Sequence, residues 1–181
     1  MLILVCILLT GCSKQNADID DALLFRQRLA NSSQCEFKIE VTADYGEEVY
    51  QFLLACSTDS DRNIKFEVIA PDSISGISGI ISPTGGKITF DEDVLSFPLL
   101  TEGELSPISA PLILYNGLCS GYLNSCGSTK EGTQMIIDDV FADTPVQIIV
   151  WSDQDLIPQH CEILWDGRCI MSIVIENFKL Q

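Results

Sequence analysis

Every second residue from Cys35 to Ala43 is apolar: Cys35, Phe37, Ile39, Val41 and Ala43 alternate with Glu36, Lys38, Glu40 and Thr42. A period of two describes a strand with one buried face and one wet face. A turn at Asp44-Tyr45-Gly46-Glu47 leads into a second strand, Glu48–Ser57. Short strands follow at Ile64–Val68, Ile77–Ser82, Lys87–Phe90 and Val94–Phe97. Others follow at Thr133–Asp138, Pro145–Trp151, Ile157–Trp165 and Arg168–Ile175. The links are brief and rich in turn formers, among them Ala70-Pro71-Asp72, Pro83-Thr84-Gly85-Gly86, Asp91-Glu92-Asp93 and the two-residue Asp166-Gly167. Parallel neighbours need a crossover of about a dozen residues or more. Consecutive strands joined this closely pair antiparallel.

Two segments read as helices. Asp18–Asn31 places Ala22, Leu23, Phe25, Leu29 and Ala30 on an apolar face, and Asp18, Asp20 and Asp21 in its first turn suit the helix dipole. Leu112–Leu123 is the second, with Gly117 and Gly121 each weakening it by about 1 kcal/mol. Pro98 to Pro111 reads as irregular. The fold class is therefore α+β: a strongly curved antiparallel sheet or open barrel, with the N-terminal helix and the helical insertion covering its concave face. Residues 18–181 form one domain.

Pairing Ala43 with Glu48 aligns Val41 with Tyr50, Ile39 with Phe52, Phe37 with Leu54 and Cys35 with Cys56. In an oxidising compartment this register predicts a Cys35–Cys56 disulfide. The Asp166-Gly167 turn sets Leu164 opposite Cys169 and Ser172 opposite Cys161, which predicts no bridge between Cys161 and Cys169. Cys119 and Cys126, seven apart on one helix, would be about 10 Å apart and also unbridged. Alternation breaks down at Val49–Cys56, Ile77–Ile81, Val146–Trp151 and Leu164–Val174, which are apolar on both faces. A second apolar surface needs a cover, and the two helices are short for about ten strands. The expectation is an apolar cavity between sheet and helices, lined by Phe52, Phe66, Phe90, Ile148 and Trp151.

The apolar run Leu2–Leu9 is too short to span a bilayer, which takes about 20 residues, and it fits a signal-peptide core. It ends in Leu9-Thr10-Gly11-Cys12, which resembles the bacterial lipobox, although no Lys or Arg precedes the run. The resemblance implies a signal peptide over residues 1–11 and a diacylglyceryl group on Cys12. It implies an anchor and tether over 12–17, and a protein on the exported face of a membrane, extracellular or periplasmic. With 10 Lys+Arg against 26 Asp+Glu, the formal charge is −16. Such a surface repels nucleic acid and anionic headgroups alike, so nucleic acid is excluded as a partner and attachment falls to the lipid.

Motifs for chemistry are weak. Gly117-Leu118-Cys119-Ser120-Gly121 matches G-x-C-x-G, a cysteine form of the nucleophile elbow. His160, with Asp138, Asp139, Asp143, Asp153 or Asp155, keeps the order nucleophile, acid, base. The elbow sits between a parallel strand and a helix, which a meander does not supply, so these small residues read as a helix that packs closely on its neighbours. The expectation is no enzyme, with a cysteine hydrolase as the weakest alternative. His160 beside Cys161 has no further ligand spaced for a metal. The acidic runs Asp59-Ser60-Asp61, Asp91-Glu92-Asp93 and Asp153-Gln154-Asp155 lack the pattern of a calcium loop. Gly85-Gly86-Lys87-Ile88 is no P-loop. No metal and no cofactor is expected.

With the Cys12 motif, the helix-then-meander order and the segment Lys65-Phe66-Glu67-Val68-Ile69-Ala70-Pro71, the chain resembles the LolA/LolB-like group of bacterial envelope proteins over roughly Asp18 to Leu180. The resemblance implies a half-barrel lidded by helices and a role in carrying lipoproteins or lipids. The first reading is a membrane-anchored lipoprotein that binds a lipid or acyl chain. The alternative is a structural or adaptor lipoprotein with a filled core, whose partner is another envelope protein.

Overall fold

The structure is a computed structural model, and it describes residues 12–59, 61–90, 93–97, 100–101, 104–130, 132–141 and 143–181. Leu9, Thr10, Gly11 and the predicted signal peptide lie outside the described residues. Helix α1 (Cys12–Asn31) runs unbroken from Cys12 through the expected tether. Strands β1 (Cys35–Asp44), β2 (Val49–Thr58), β3 (Ile64–Ala70), β4 (Ser78–Ser82), β5 (Gly85–Phe90) and β6 (Asp93–Phe97) follow as a meander. The segment read as irregular holds a minute hairpin of β7 (Leu100–Thr101) and β8 (Glu104–Leu105), then α2 (Ala110–Ser120). Strands β9 (Tyr122–Ser128), β10 (Thr133–Phe141), β11 (Thr144–Ser152), β12 (Pro158–Trp165) and β13 (Arg168–Leu180) complete the chain.

Eleven strands form one sheet in the order β6-β5-β4-β3-β2-β1-β13-β12-β11-β10-β9. All neighbours are antiparallel, and the sheet ends at two edges without closing. Two meanders meet at a central seam where β1 pairs with β13, from Cys35 opposite Leu180 to Ala43 opposite Met171. On the wet face of that seam Glu36 lies opposite Lys179 and Lys38 opposite Glu176, cross-strand pairs of opposite sign that favour this register.

The first hairpin is displaced by two residues from the expected register. Ala43 faces Tyr50, Val41 faces Phe52 and Phe37 faces Cys56, while the Cys35 N–H donates to Thr58 Oγ1 at 2.8 Å. The turn is responsible. The Tyr45 N–H donates to the Glu48 carbonyl, and Asp44 Oδ1 accepts the Gly46 N–H, so the loop closes one residue later on the second strand and Asp44 stays in β1. A slip of two keeps every apolar residue on its face but moves Cys35 off Cys56. Both thiols are free, and the expected disulfide is withdrawn. In the last hairpin Leu164 faces Cys169 as expected. An irregularity between Ile163 and Leu164 puts Ile173, rather than Ser172, opposite Cys161. Cys126 belongs to β9, not to the helix of Cys119.

Helix α2 is buried almost all round, including Leu112, Ile113, Leu114, Tyr115 and Leu118. It packs on β10 and against α1, whose Ala22, Phe25 and Leu29 are fully buried. The Arg26 side chain of α1 donates from Nε to the Leu118 carbonyl at 2.8 Å and from Nη2 to the Gly121 carbonyl. A cation thus satisfies carbonyls left free where α2 ends. On the far face of the sheet Leu53, Ile136, Ile149, Trp151 and Leu164 are half-buried, and Ile80 and Val174 are exposed. The expectation that strands apolar on both faces carry a second cover is corrected. No described helix lies there, and the polar neighbours His160, Glu162, Gln134 and Gln147 intersperse these residues.

Candidate functional site

The interface between sheet and helices is the place an apolar ligand would enter. Gly117 and Gly121 lie close against the sheet. A Cβ on Gly117 would stand 2.3 Å from Ile148 Cδ1, and one on Gly121 would stand 2.5 Å from Ile137 Cγ2 and 2.9 Å from the Gly117 carbonyl. The helix backbone therefore rests on the β10 and β11 side chains. Ile137, Ile148, Met135, Leu112, Leu114 and Leu118 expose no surface to a water-sized sphere, so no void of that size touches them. The other side of the same face has a close contact of its own, while Leu95 at its β6 edge is exposed. The Phe66 ring lies across Gly79, where a Cβ would be 2.7 Å from two of its carbons.

The residues expected to line a cavity are not brought together. Phe52, Phe66 and Ile148 all point to the helix side. Phe66 and Ile148 are buried, and Phe52 is half-buried, stacked on Tyr50 at a centroid distance of 6.4 Å. Phe66 on β3 and Ile148 on β11 are five strand spacings apart, about 24 Å along the sheet. Trp151 is on the opposite face, 5.1 Å from the His160 ring. Its separation of three residues from Ile148 dictates this, because odd separations along a strand change face. The Phe90 side chain lies outside the described residues.

The cysteine-hydrolase constellation does not assemble. Cys119 sits on α2, on the helix side of the sheet, whereas His160 projects from the other side beside Trp151 and Glu162. The sheet separates them. Burial pushes the Cys119 thiol up, opposed by a hydrogen bond with Tyr115 and by Arg62 and Arg26. Burial also pushes Cys35 up to about 12, with Cys119 and Glu36 adding to it. These thiols stay protonated at neutral pH and are poor nucleophiles.

The acidic turns serve the backbone. Asp59 Oδ1 accepts the N–H groups of Asp61 and Asn63 at 2.9 and 3.0 Å. Asp153 Oδ1 repeats this with Asp155 and Ile157 at 3.0 and 2.9 Å. In each loop the fourth residue, Arg62 or Leu156, has φ +63°. One turn thus recurs at the β2–β3 and β11–β12 links, with its lead carboxylate already engaged. No group of three metal-ligating side chains occurs among the described residues.

Among the described residues, a groove beside α1 and the two edges of the sheet differ in how they are covered. An open groove of about 720 Å³ runs beside α1, lined by Leu24, Gln27, Arg28, Leu156 and Leu180, among others. Strand β9 forms one edge of the sheet and is covered by α1. The Ser128 N–H donates to Asp18 Oδ2 at 3.0 Å, Ser128 Oγ donates to Asp18 Oδ1, and Cys126 Sγ donates to the Asp18 carbonyl at 3.3 Å. Strand β6, the other edge, exposes Val94 and Leu95. Sequence patterning flagged neither the edge nor the Arg26 cap, since both arise from how distant segments meet. Among the described residues no helix is long and apolar enough to cross a membrane.

No protein-family model matches the chain, and no curated protein sequence does. Solved structures do. An uncharacterized conserved protein from Thermus thermophilus is 13% identical at a TM-score of 0.51, over 90% of this chain and 88% of that one. A LolA superfamily protein from Nitrosomonas europaea is 11% identical at a TM-score of 0.46, over 88% of this chain and 93% of that one. A chain of the complex of the CwlD amidase from Clostridioides difficile with the GerS lipoprotein is 15% identical at a TM-score of 0.42, over 96% of this chain and all of that one. The likeness to the Thermus protein is one of fold.

Proposed function

We propose that the chain is an exported lipoprotein, held on a membrane surface by a diacylglyceryl group on Cys12, whose half-barrel is filled by its own helices. In this reading the domain is an adaptor that binds another envelope protein. The observation that carries it is the flush contact of Gly117 and Gly121 with Ile148 and Ile137, which leaves no room for an acyl chain between α2 and the sheet. A second reading, in which the domain binds an apolar ligand, draws on the groove beside α1. Its volume falls in the range of about 300–1,000 Å³ usual for small-molecule sites, and Leu24, Leu156 and Leu180 give it apolar walls.

A fluorescent fatty acid titrated into the Cys12→Ala chain separates the readings. The adaptor reading expects no saturable binding. Saturable binding weakened by Phe66→Asp, in a variant that still folds, overturns it in favour of an interior site. Saturable binding weakened by Leu24→Glu instead assigns the ligand to the groove. Intact mass of the membrane-expressed chain tests the anchor: a mature protein beginning at lipid-modified Cys12 is expected, and an unmodified chain retaining residues 1–11 refutes it.

A further inference from the structure

Strand β6 is the sheet edge that nothing covers among the described residues. Its hairpin with β5 pairs Phe90 with Asp93, Thr89 with Val94, Ile88 with Leu95, Lys87 with Ser96 and Gly86 with Phe97, without a bulge. In a two-residue hairpin the pair flanking the loop exchanges hydrogen bonds, and such pairs alternate along an antiparallel ladder. The Phe90–Asp93 and Ile88–Leu95 pairs are thus the bonded ones. The N–H and C=O groups of Val94 and Ser96 point away from β5, at the open side. Val94 is 60% exposed and Leu95 66% exposed, and they stand on opposite faces. Natural edges are blunted by Lys, Pro or a bulge. The segment Asp93-Val94-Leu95-Ser96-Phe97 has none of these, whereas α1 covers the β9 edge through Asp18.

We propose that β6 is a docking strand that takes an extended cationic segment of a partner protein as a twelfth strand of the sheet. This rests on the adaptor reading and names the surface and the partner's chemistry. Main-chain bonds to Val94 and Ser96 supply the pairing, and apolar partner side chains cover Val94 on one face and Leu95 on the other. The charge comes from the chain itself. Asp91, Glu92 and Asp93 lead into the strand, and the molecule carries −16. A second copy would bring the same charge to the interface, so electrostatics favours a basic segment.

The probe is a capped synthetic peptide in which lysines flank an alternating valine–threonine core, added to the full chain in a nonionic detergent. The expected result is slowed hydrogen exchange at the Val94 and Ser96 amides. Binding should weaken as salt rises and vanish when glutamates replace the lysines. Ser96→Pro removes an outward N–H that β5 does not use, and such edge positions tolerate proline. It should weaken binding at least tenfold with the thermal midpoint unchanged, while Ser96→Ala binds as the parent does. Exchange that is unchanged at β6, or undiminished binding by folded Ser96→Pro, overturns the proposal. If Ser96→Pro does not fold, the exchange measurement on the parent decides. A parent chain that is dimeric, and that Ser96→Pro makes monomeric, overturns it in favour of a second copy. Saturable fatty-acid binding would sink the adaptor reading and leave the β6 result legible by itself.

Discussion

Adding one methyl group at Gly117 tests whether the interior is filled. In an open helix Gly→Ala stabilises by about 1 kcal/mol through backbone propensity. At Gly117 the new Cβ would lie 2.3 Å from Ile148 Cδ1. Carbon atoms prefer about 3.5–4.0 Å, so that methyl must retreat by about 1.2 Å or more. Ile148 has no exposed surface into which it could move. Overpacking of this kind costs about 1–3 kcal/mol, so the net effect of Gly117→Ala is about 0–2 kcal/mol destabilising. Ile148→Val removes the offending methyl and by itself costs about 0.5–1.5 kcal/mol. In the double variant the clash is gone and the propensity gain remains, so the net change is near zero. The cycle should show about 1–3 kcal/mol of favourable coupling, well above the error for neighbouring sites. Urea unfolding followed by the fluorescence of Trp151 and Trp165 measures all four corners. Stabilisation by Gly117→Ala alone, with no coupling to Ile148, would mean that space exists beneath α2 and would refute the filled interior.

Arg26→Met keeps the aliphatic stem but loses the donors to Leu118 and Gly121; charge-assisted hydrogen bonds contribute about 1.5–3 kcal/mol, and the partial exposure of Arg26 places the expected loss in urea unfolding at the lower end. Buried thiols make the fold sensitive to alkali. Burial holds Cys126 up to about 11, with Asp18 and Asp21 adding to it, and Cys35 up to about 12, from an ordinary value of 9.0. Because the folded values are raised, their contribution is fully present below pH 9 and is lost as pH rises through 11 and 12. The urea midpoint should therefore fall above pH 9, and Cys126→Ala should flatten the fall between pH 9 and 11; a flat profile in the parent chain would contradict the burial of these thiols. Non-reducing peptide mapping after mild oxidation should show no Cys35–Cys56 link, since Cys35 lies opposite Thr58 in the hairpin; finding that link would restore the register in which Ala43 faces Glu48.

Local patterning reached most of the strands because their signal is local. The alternation from Cys35 to Ala43 became β1 nearly residue for residue, and Asp166-Gly167 became a tight turn with both residues at positive φ. What it missed depends on tertiary contact. Tyr122–Ser128 has no apolar alternation and contains Gly127, yet it is a strand because β10 pairs with it and α1 lies over it. Gly117 and Gly121, small residues that read as close helix packing, are where α2 meets the sheet; what the sequence did not give is that Ile148 and Ile137 are the side chains they meet. The two-residue slip in the first hairpin goes with the side chain of Asp44, whose bond to Gly46 sits in a four-residue loop moved one position along the chain. Trp151 is different. Its odd spacing from Ile148 was in the sequence, and strand parity alone would have removed it from a shared lining.

The seam between β1 and β13 also sets the order in which the molecule can be made. Cys35 and Leu180 are partners although 145 positions separate them, and their strands hold the two meanders together. Each meander needs only neighbouring hairpins and can form as its residues emerge. The seam must wait for the last strand. The entropy of closing so long a loop is met only when β13 arrives, and non-local pairings of this kind slow folding. Until then β1 and β12 are both bare edges of half-finished sheets. A chain cut off before Arg168 would keep the local hairpins and lose the joint between them, leaving two apolar sheets open to aggregation where the intact protein has its interior.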